Sequence, residues 1–197
     1  WVYAAFRMAQ PETVSKTAWW MMGMAAAMGL VRPDGYLFCA ASVAIVGAAA
    51  LRGQISWKAG FLRCLPLLAV VTHVLWRKSF YGEWLPNTYY AKVVGPLPDI
   101  GAAYFLAFVV EHGIWAWGIA VGLGVWKSGL FQQLRQDWAP ALAMAALVAH
   151  LLYYVVVAGG DHFEYRILSH WAPLLALSLV WASLHWELEW SMRGAVF

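Results

Sequence analysis

The sequence predicts an all-α protein, a polytopic transmembrane bundle of about six membrane helices. Three observations lead there. Of 197 residues, 63% are hydrophobic and 12% charged, with a mean hydropathy of +0.62. A soluble domain carries about 25% charged residues, and a chain of this size cannot hide so much apolar surface in one core. The apolar residues fall in long runs, and lysine and arginine alternate between the connections. The formal charge of +3 is too small and too scattered for a nucleic-acid partner.

Six runs have helical character: 17–31, 36–51, 61–76, 109–126, 139–158 and 167–186. A perpendicular span needs about 20 residues, with roughly 17 as the lower bound. Runs 17–31 and 61–76 are short, so they must extend into their flanks or be shielded by neighbours. Gly23, Ala25, Ala26, Ala27 and Gly29 are small enough for close helix packing. Cys39 and Cys64 lie in apolar stretches without metal or CxxC spacing and read as two buried free thiols. No signal peptide is visible. The chain opens at Trp1 without an initiator Met, so 1–197 is expected to be one transmembrane segment of a longer polytopic protein.

Arg7, Lys16, Arg52, Lys58, Arg63, Lys127, Arg135 and Arg193 fall in one set of connections; Arg32, Arg77, Lys78, Lys92 and Arg166 fall in the other. The positive-inside rule puts the richer set in the cytoplasm. RPDG (32–35), the loop over 77–108 and GGDHFEYR (159–166) then share the extracytoplasmic face. With them go Asp34, Glu83, Asp99, Glu111, Asp161 and Glu164. Within that loop, DIGAAYFLAFVVEHG (99–113) shows Tyr104, Phe105, Phe108 and Val109 at helical spacing. It reads as an interfacial helix before a turn at Gly113, or as the start of a long tilted span. The first avoids burying Glu111.

Three constellations carry the polar chemistry. WRKSFYGEWLPNTYYAKVVG (76–95) is punctuated by Gly82 and Pro86-Asn87, and Pro86 pushes Leu85 toward extended backbone. Its rings suit a headgroup belt in which Arg77 and Lys78 touch lipid phosphate. A belt alone does not need Tyr81, Glu83, Asn87, Tyr89 and Lys92 in such a turn; a loop that binds a phosphorylated lipid does. In AGGDHFEYR (158–166), Gly159 and Gly160 allow a sharp turn or a close approach. Asp161 is placed to cap a new helix, on which Glu164 and Tyr165 share its face and His162 meets Arg166. This group is either an ion-pair network sealing a helix end or a cup for a sugar and a phosphate. Arg166 offers a planar fork to phosphate, and Asp161 and Glu164 can orient hydroxyls. Asp161 and His162 are the one hint of a divalent metal; adjacent ligands diverge, so no cofactor is assigned. In RPDG, Arg32 and Asp34 pair most simply with each other, or with another constellation. His73, His150, His170 and His185 lie in or near apolar runs and read as hydrogen-bonded packing residues.

RPDG before a span, then FYGEWLPNTYYAK, then GGDHFEYR before the last span resemble the polyprenyl-phosphate-sugar-dependent glycosyltransferases of the GT-C superfamily. The similarity is strongest to the family of the terminal β-(1→2)-arabinofuranosyltransferases of mycobacterial envelopes and their bacterial relatives. Its patterns run roughly RPEG, YYGDLLPNTYYAK and GGDxxxxRF. Here Asp34 replaces Glu, Glu83 replaces Asp, and Ile167 stands where an aromatic residue is common. The three patterns in this order are specific; RPDG alone is not. The resemblance spans nearly all 197 residues.

It implies part of a GT-C fold in a bacterial cytoplasmic membrane. It also implies an inverting transfer of a sugar, arabinofuranose in the best-known member, from a polyprenyl-phosphate carrier to an envelope glycan or glycolipid on the outer face. The donor-binding residues implied are Arg32, Asp34, Tyr81, Glu83, Asn87, Tyr89, Lys92, Asp161, His162, Glu164 and Arg166. The catalytic base of such enzymes is an acid in their first extracytoplasmic loop, which no stretch here matches, so it is expected upstream of Trp1. One site would need WLPNTYYAK and GGDHFEYR to converge. Two other classes use the same residues differently. A transporter or flippase for lipid-linked sugars should show internal repeats or a polar path through the bilayer, and a membrane scaffold needs no clustering of the polar motifs.

Overall fold

Proline and glycine cut two of the apolar runs, 61–76 and 109–126, into shorter helices than the sequence suggests. The structure is a computed structural model that describes residues 1–8, 10, 13–92, 95–128, 137–160 and 165–185. Among these, every regular element is helical and no strand occurs, as the composition predicts. In order come α1 (Val2–Arg7), α2 (Val14–Val31), α3 (Gly35–Leu51), α4 (Trp57–Arg63), α5 (Leu67–Tyr81) and α6 (Asn87–Lys92). Then follow α7 (Pro98–Glu111), α8 (Ile114–Ser128) and α9 (Trp138–Leu152), which continues as a π-helix over Tyr153–Ala158. A 3₁₀ helix over Arg166–Trp171 leads into α10 (Ala172–His185).

One described helix, Trp138–Ala158, is long and apolar enough at 21 residues to cross a membrane unaided. Two bent pairs reach that length only if each counts as one span: Trp57–Arg63 with Leu67–Tyr81, bent by 53°, and Pro98–Glu111 with Ile114–Trp126, bent by 78°. Both breaks have a local cause. Pro66 removes a donor from the helical ladder between α4 and α5. Gly113, at φ +62°, stops α7 in the left-handed conformation. The run 61–76 is therefore not the single helix expected of it; Pro66 divides it. The region 99–113 does form a helix of its own, ending at Glu111 before the turn. Gly35–Leu51 is apolar but has 17 residues.

The chain forms two compact units. The first comprises Trp1–Val94 and Asp137–Leu151, the second Gly95–Gln136 and Leu152–Phe197.

In the first unit α2 packs along α3, with α1, α4 and α5 also against α2. Met8, Val14, Ala18, Met21, Met22, Ile45, Ala49, Ala139 and Ala143 form the core. The small residues divide by face. Ala25, Ala26 and Gly29 are buried, whereas Gly23 and Ala27 are exposed and take no part in the packing. At Gly29 a Cβ would stand 3.0 Å from the Cys39 sulfur. The Cys39 thiol itself donates to the Ala25 carbonyl at 3.2 Å. Cys39 and Cys64 are both free thiols, as their spacing predicts, but each is half-buried rather than buried.

In the second unit α7 packs on the π-helical turn and α10 on α8. The approach of α7 is a backbone contact: a Cβ on Gly101 would lie 1.9 Å from the Val155 carbonyl oxygen. The Leu97 N–H donates to the Val156 carbonyl at 3.0 Å beside it. The Trp117 indole donates to the Leu175 carbonyl and the Ser178 hydroxyl, both at 3.1 Å. That ties α8 to α10.

Candidate functional site

The RPDG turn is a tight link between two apolar helices, and its glycine is required. A Cβ on Gly35 would lie 2.3 Å from the backbone carbonyl of Met28, so only glycine lets α3 start this close to α2. The turn closes through the Gly35 N–H to the Arg32 carbonyl at 3.0 Å. Asp34, at the head of α3, sits where a helix favours negative charge.

Arg32 and Asp34 pair, as their spacing predicts: the guanidinium Nε donates to Asp34 Oδ1 at 3.1 Å. The other carboxylate oxygen, Oδ2, lies 3.1 Å from Nε2 of His150. His150 is 2% exposed, Asp34 11% and Arg32 42%, so the polar row runs from the interior outward. Phe38 covers the imidazole, ring centroids 5.2 Å apart. Trp1 meets Phe38 edge-on and donates its indole N–H to Ser42 at 2.7 Å. The Ser42 hydroxyl donates in turn to the Phe38 carbonyl.

His150 is not among the donor-binding residues expected from the sequence. It does make a hydrogen bond, as expected of a histidine in an apolar run, but with a charged residue at a candidate site. A signal for this exists in the sequence. The buried positions of α9 are Ala139, Pro140, Ala143, Ala146, Leu147 and His150, one face at helical spacing. A titratable ring on that stripe requires a polar partner from elsewhere.

The WLPNTYYAK segment follows the end of α5, where Gly82 adopts φ +76° and its N–H returns to the Lys78 carbonyl. The Lys78 ammonium donates to the Gly82 carbonyl and stands 5.3 Å above the Trp84 ring. The Tyr90 hydroxyl accepts from the Leu85 N–H at 3.3 Å, and the Tyr89 N–H bonds the Pro86 carbonyl at 2.8 Å. The turn predicted from Pro86-Asn87 thus forms and opens α6. Tyr81, Glu83 and Asn87 are exposed; Tyr89 is half-buried, its ring edge-on to Tyr90. For Lys92 the backbone alone is described.

In the second unit Gly159 and Gly160 both turn the chain and let it approach closely, as expected. They adopt φ +68° and +94°. A Cβ on either would press within 2.7 Å of Leu97 or Tyr104 on α7. Asp161, His162 and Glu164 lie outside the described residues, and of Arg166 the backbone alone is described. The expected α-helix from Asp161 through the last span is interrupted. Tyr165 takes φ +44°, a left-handed conformation that a non-glycine residue rarely adopts. A 3₁₀ helix follows it before α10 begins at Ala172. Tyr165 is therefore not on a regular helical face. Its ring instead packs on α7, with centroids 5.3 Å from Tyr104, 5.2 Å from Phe108 and 5.0 Å from His112.

The structure thus joins Arg32, Asp34 and His150 in the first unit, and also holds Tyr81, Glu83, Asn87 and Tyr89 there on one short stretch. GGDHFEYR belongs to the second unit. Among the described residues no group of three His, Cys, Asp or Glu side chains could hold a metal ion. Comparison with protein-family models, curated proteins and solved structures finds no match for this chain.

Proposed function

We propose that this chain is the donor-binding part of a membrane glycosyltransferase of GT-C type. It uses a polyprenyl-phosphate sugar on the extracytoplasmic face of a bacterial cytoplasmic membrane, with a glycan or glycolipid as acceptor. The observation that carries the reading is the ordered set RPDG, FYGEWLPNTYYAK and GGDHFEYR, each next to an apolar run. A structural feature is consistent with it. Asp34 and Arg32 form a hydrogen-bonded group anchored by His150, the arrangement needed to hold a cation steady beside a departing phosphate.

In this reading the cations that stabilise charge as the glycosidic C–O bond breaks are Lys92 and Arg32 of the first unit and Arg166 of the second. Asp161, Glu164, Asn87 and His162 orient sugar hydroxyls, and Tyr81 and Tyr89 pack sugar or lipid. Glu83 belongs to the same donor-binding loop. A carboxylate outside this donor set takes the acceptor proton.

Replacing Lys92 or Arg166 by Gln is expected to raise the KM for the polyprenyl-phosphate donor. Removing a charged hydrogen bond from a partly dry site costs on the order of 2 kcal/mol, roughly thirtyfold. Donor kinetics of the full-length enzyme measure this, and unchanged kinetics in both variants would remove the phosphate assignment.

The reading also includes about six spans with the three motifs outside, on the lysine and arginine pattern. Cysteines introduced at Ser79 and Ser128 should differ in labelling by a membrane-impermeant thiol reagent in intact cells, with Ser79 labelled. Equal labelling of both positions contradicts the topology.

A further inference from the structure

The C-terminal turn of α5 carries two cations that the donor set does not use. Arg77 Nη2 lies 3.1 Å from Nε2 of His73, one turn earlier on the same helix. A guanidinium stays protonated in proteins and has no acceptor atom. The guanidinium is the donor of that contact and the imidazole nitrogen its acceptor, so the contact brings Arg77 no counter-charge. The Nε of Arg77 is buried without a hydrogen-bond partner. Ion pairs among the described residues centre on Asp34; neither Arg77 nor Lys78 has a carboxylate partner there. Lys78 is turned onto the Gly82 carbonyl and the Trp84 ring.

The surroundings are aromatic and open. Trp76 is 50% exposed, Phe80 69% and Tyr81 62%. Trp76 stacks on Phe80 at 5.7 Å and packs against His73 at 5.8 Å. Exposed indole and phenol rings on the same helix end as a half-buried cation match the headgroup level of a bilayer, where one side of each ring is apolar and the other wet. A charge at that boundary without a protein counter-ion is costly unless the bilayer supplies one.

We propose that Arg77, in contact with His73 on a helix end that also carries the exposed rings of Trp76 and Tyr81, binds the phosphate of an anionic bilayer phospholipid. The guanidinium offers its Nη edge to the phosphate oxygens, a geometry an ammonium cannot reproduce. The rings cover the glycerol and upper acyl chains. The site is separate from the donor residues, none of which is Arg77 or His73, and it does not depend on the transfer reaction.

The test uses the full-length protein in nanodiscs holding equal phosphatidylglycerol and phosphatidylcholine, with retained lipids counted by native mass spectrometry. The wild type is expected to favour phosphatidylglycerol about fivefold, the worth of one basic residue at an anionic surface. R77Q should fall to near parity with its helical content unchanged. R77K, which keeps charge without the fork, should fall between the two, and K92Q should remain as selective as the wild type. Parity in the wild type overturns the proposal, as does an R77K or R77Q variant with full selectivity. Displacement of the retained phosphatidylglycerol by added polyprenyl phosphate also overturns it, because the site would then belong to the donor.

Discussion

Replacing His150 by Ala is expected to destabilise the first unit by about 2–4 kcal/mol, the cost of leaving a buried carboxylate short of a hydrogen-bond partner together with the space left by the ring. The change strips Asp34 Oδ2 of a partner at 3.1 Å in a place where that carboxylate is only 11% exposed. It also opens a hole beside Phe38. Arg32 still holds Oδ1, so the effect should lie toward the lower end of the range. Replacing both members should cost less than the sum of the single changes, since neither is then left without its partner. Denaturant unfolding of H150A, D34N and the double variant in micelles measures this. An H150A protein within about 0.5 kcal/mol of the wild type, on the scale of neutral surface changes, would show that the pair does not hold α9 to the turn.

Gly101 offers the second large effect, in the second unit. An alanine methyl there would need the space of the Val155 carbonyl oxygen at 1.9 Å and of its carbon at 2.7 Å. Both are backbone atoms and cannot swing aside as a side chain would. Relief requires α7 to move off the π-helical turn and to give up the Leu97–Val156 hydrogen bond. We expect a loss of about 3 kcal/mol, at the top of the range for overpacking. Amides over 97–111 and 153–158 should lose hydrogen-exchange protection. Gly118, where a Cβ meets nothing within 4 Å, is the control, and G118A should be close to neutral. Equal behaviour of the two variants would mean that α7 does not sit on this turn.

These two contacts differ in how far the sequence disclosed them. The helical class and the free thiols follow from composition and spacing, because these depend on average character rather than on neighbours. The turns at 32–35, 82 and 86–87 follow from glycine and proline, whose restrictions act within a few residues. Pro66 carries the same kind of information, and taking 61–76 as one run gives too little weight to its missing donor.

The pairing of Asp34 with His150 is another matter. It joins residues 116 apart, and nothing local marks either as the other's partner. The left-handed Tyr165 and the approach of α7 to Val155 are likewise tertiary outcomes. A tyrosine has no local preference for φ +44°; packing against Tyr104, Phe108 and His112 holds it there. Within the candidate site, the sequence marks the charged residues and a histidine on a buried helical face, but not that they meet.

The central claim is that this chain binds a polyprenyl-phosphate sugar for transfer, and one assay tests it most directly. The full-length protein, reconstituted in liposomes, is given radiolabelled polyprenyl-phosphate sugars and an envelope glycan acceptor, with nucleotide sugars in parallel. The account predicts label in the glycan from the polyprenyl-phosphate donor alone, sharply reduced by K92Q and R166Q. Transfer from a nucleotide sugar, or movement of intact lipid-linked sugar across the bilayer without transfer, would contradict it.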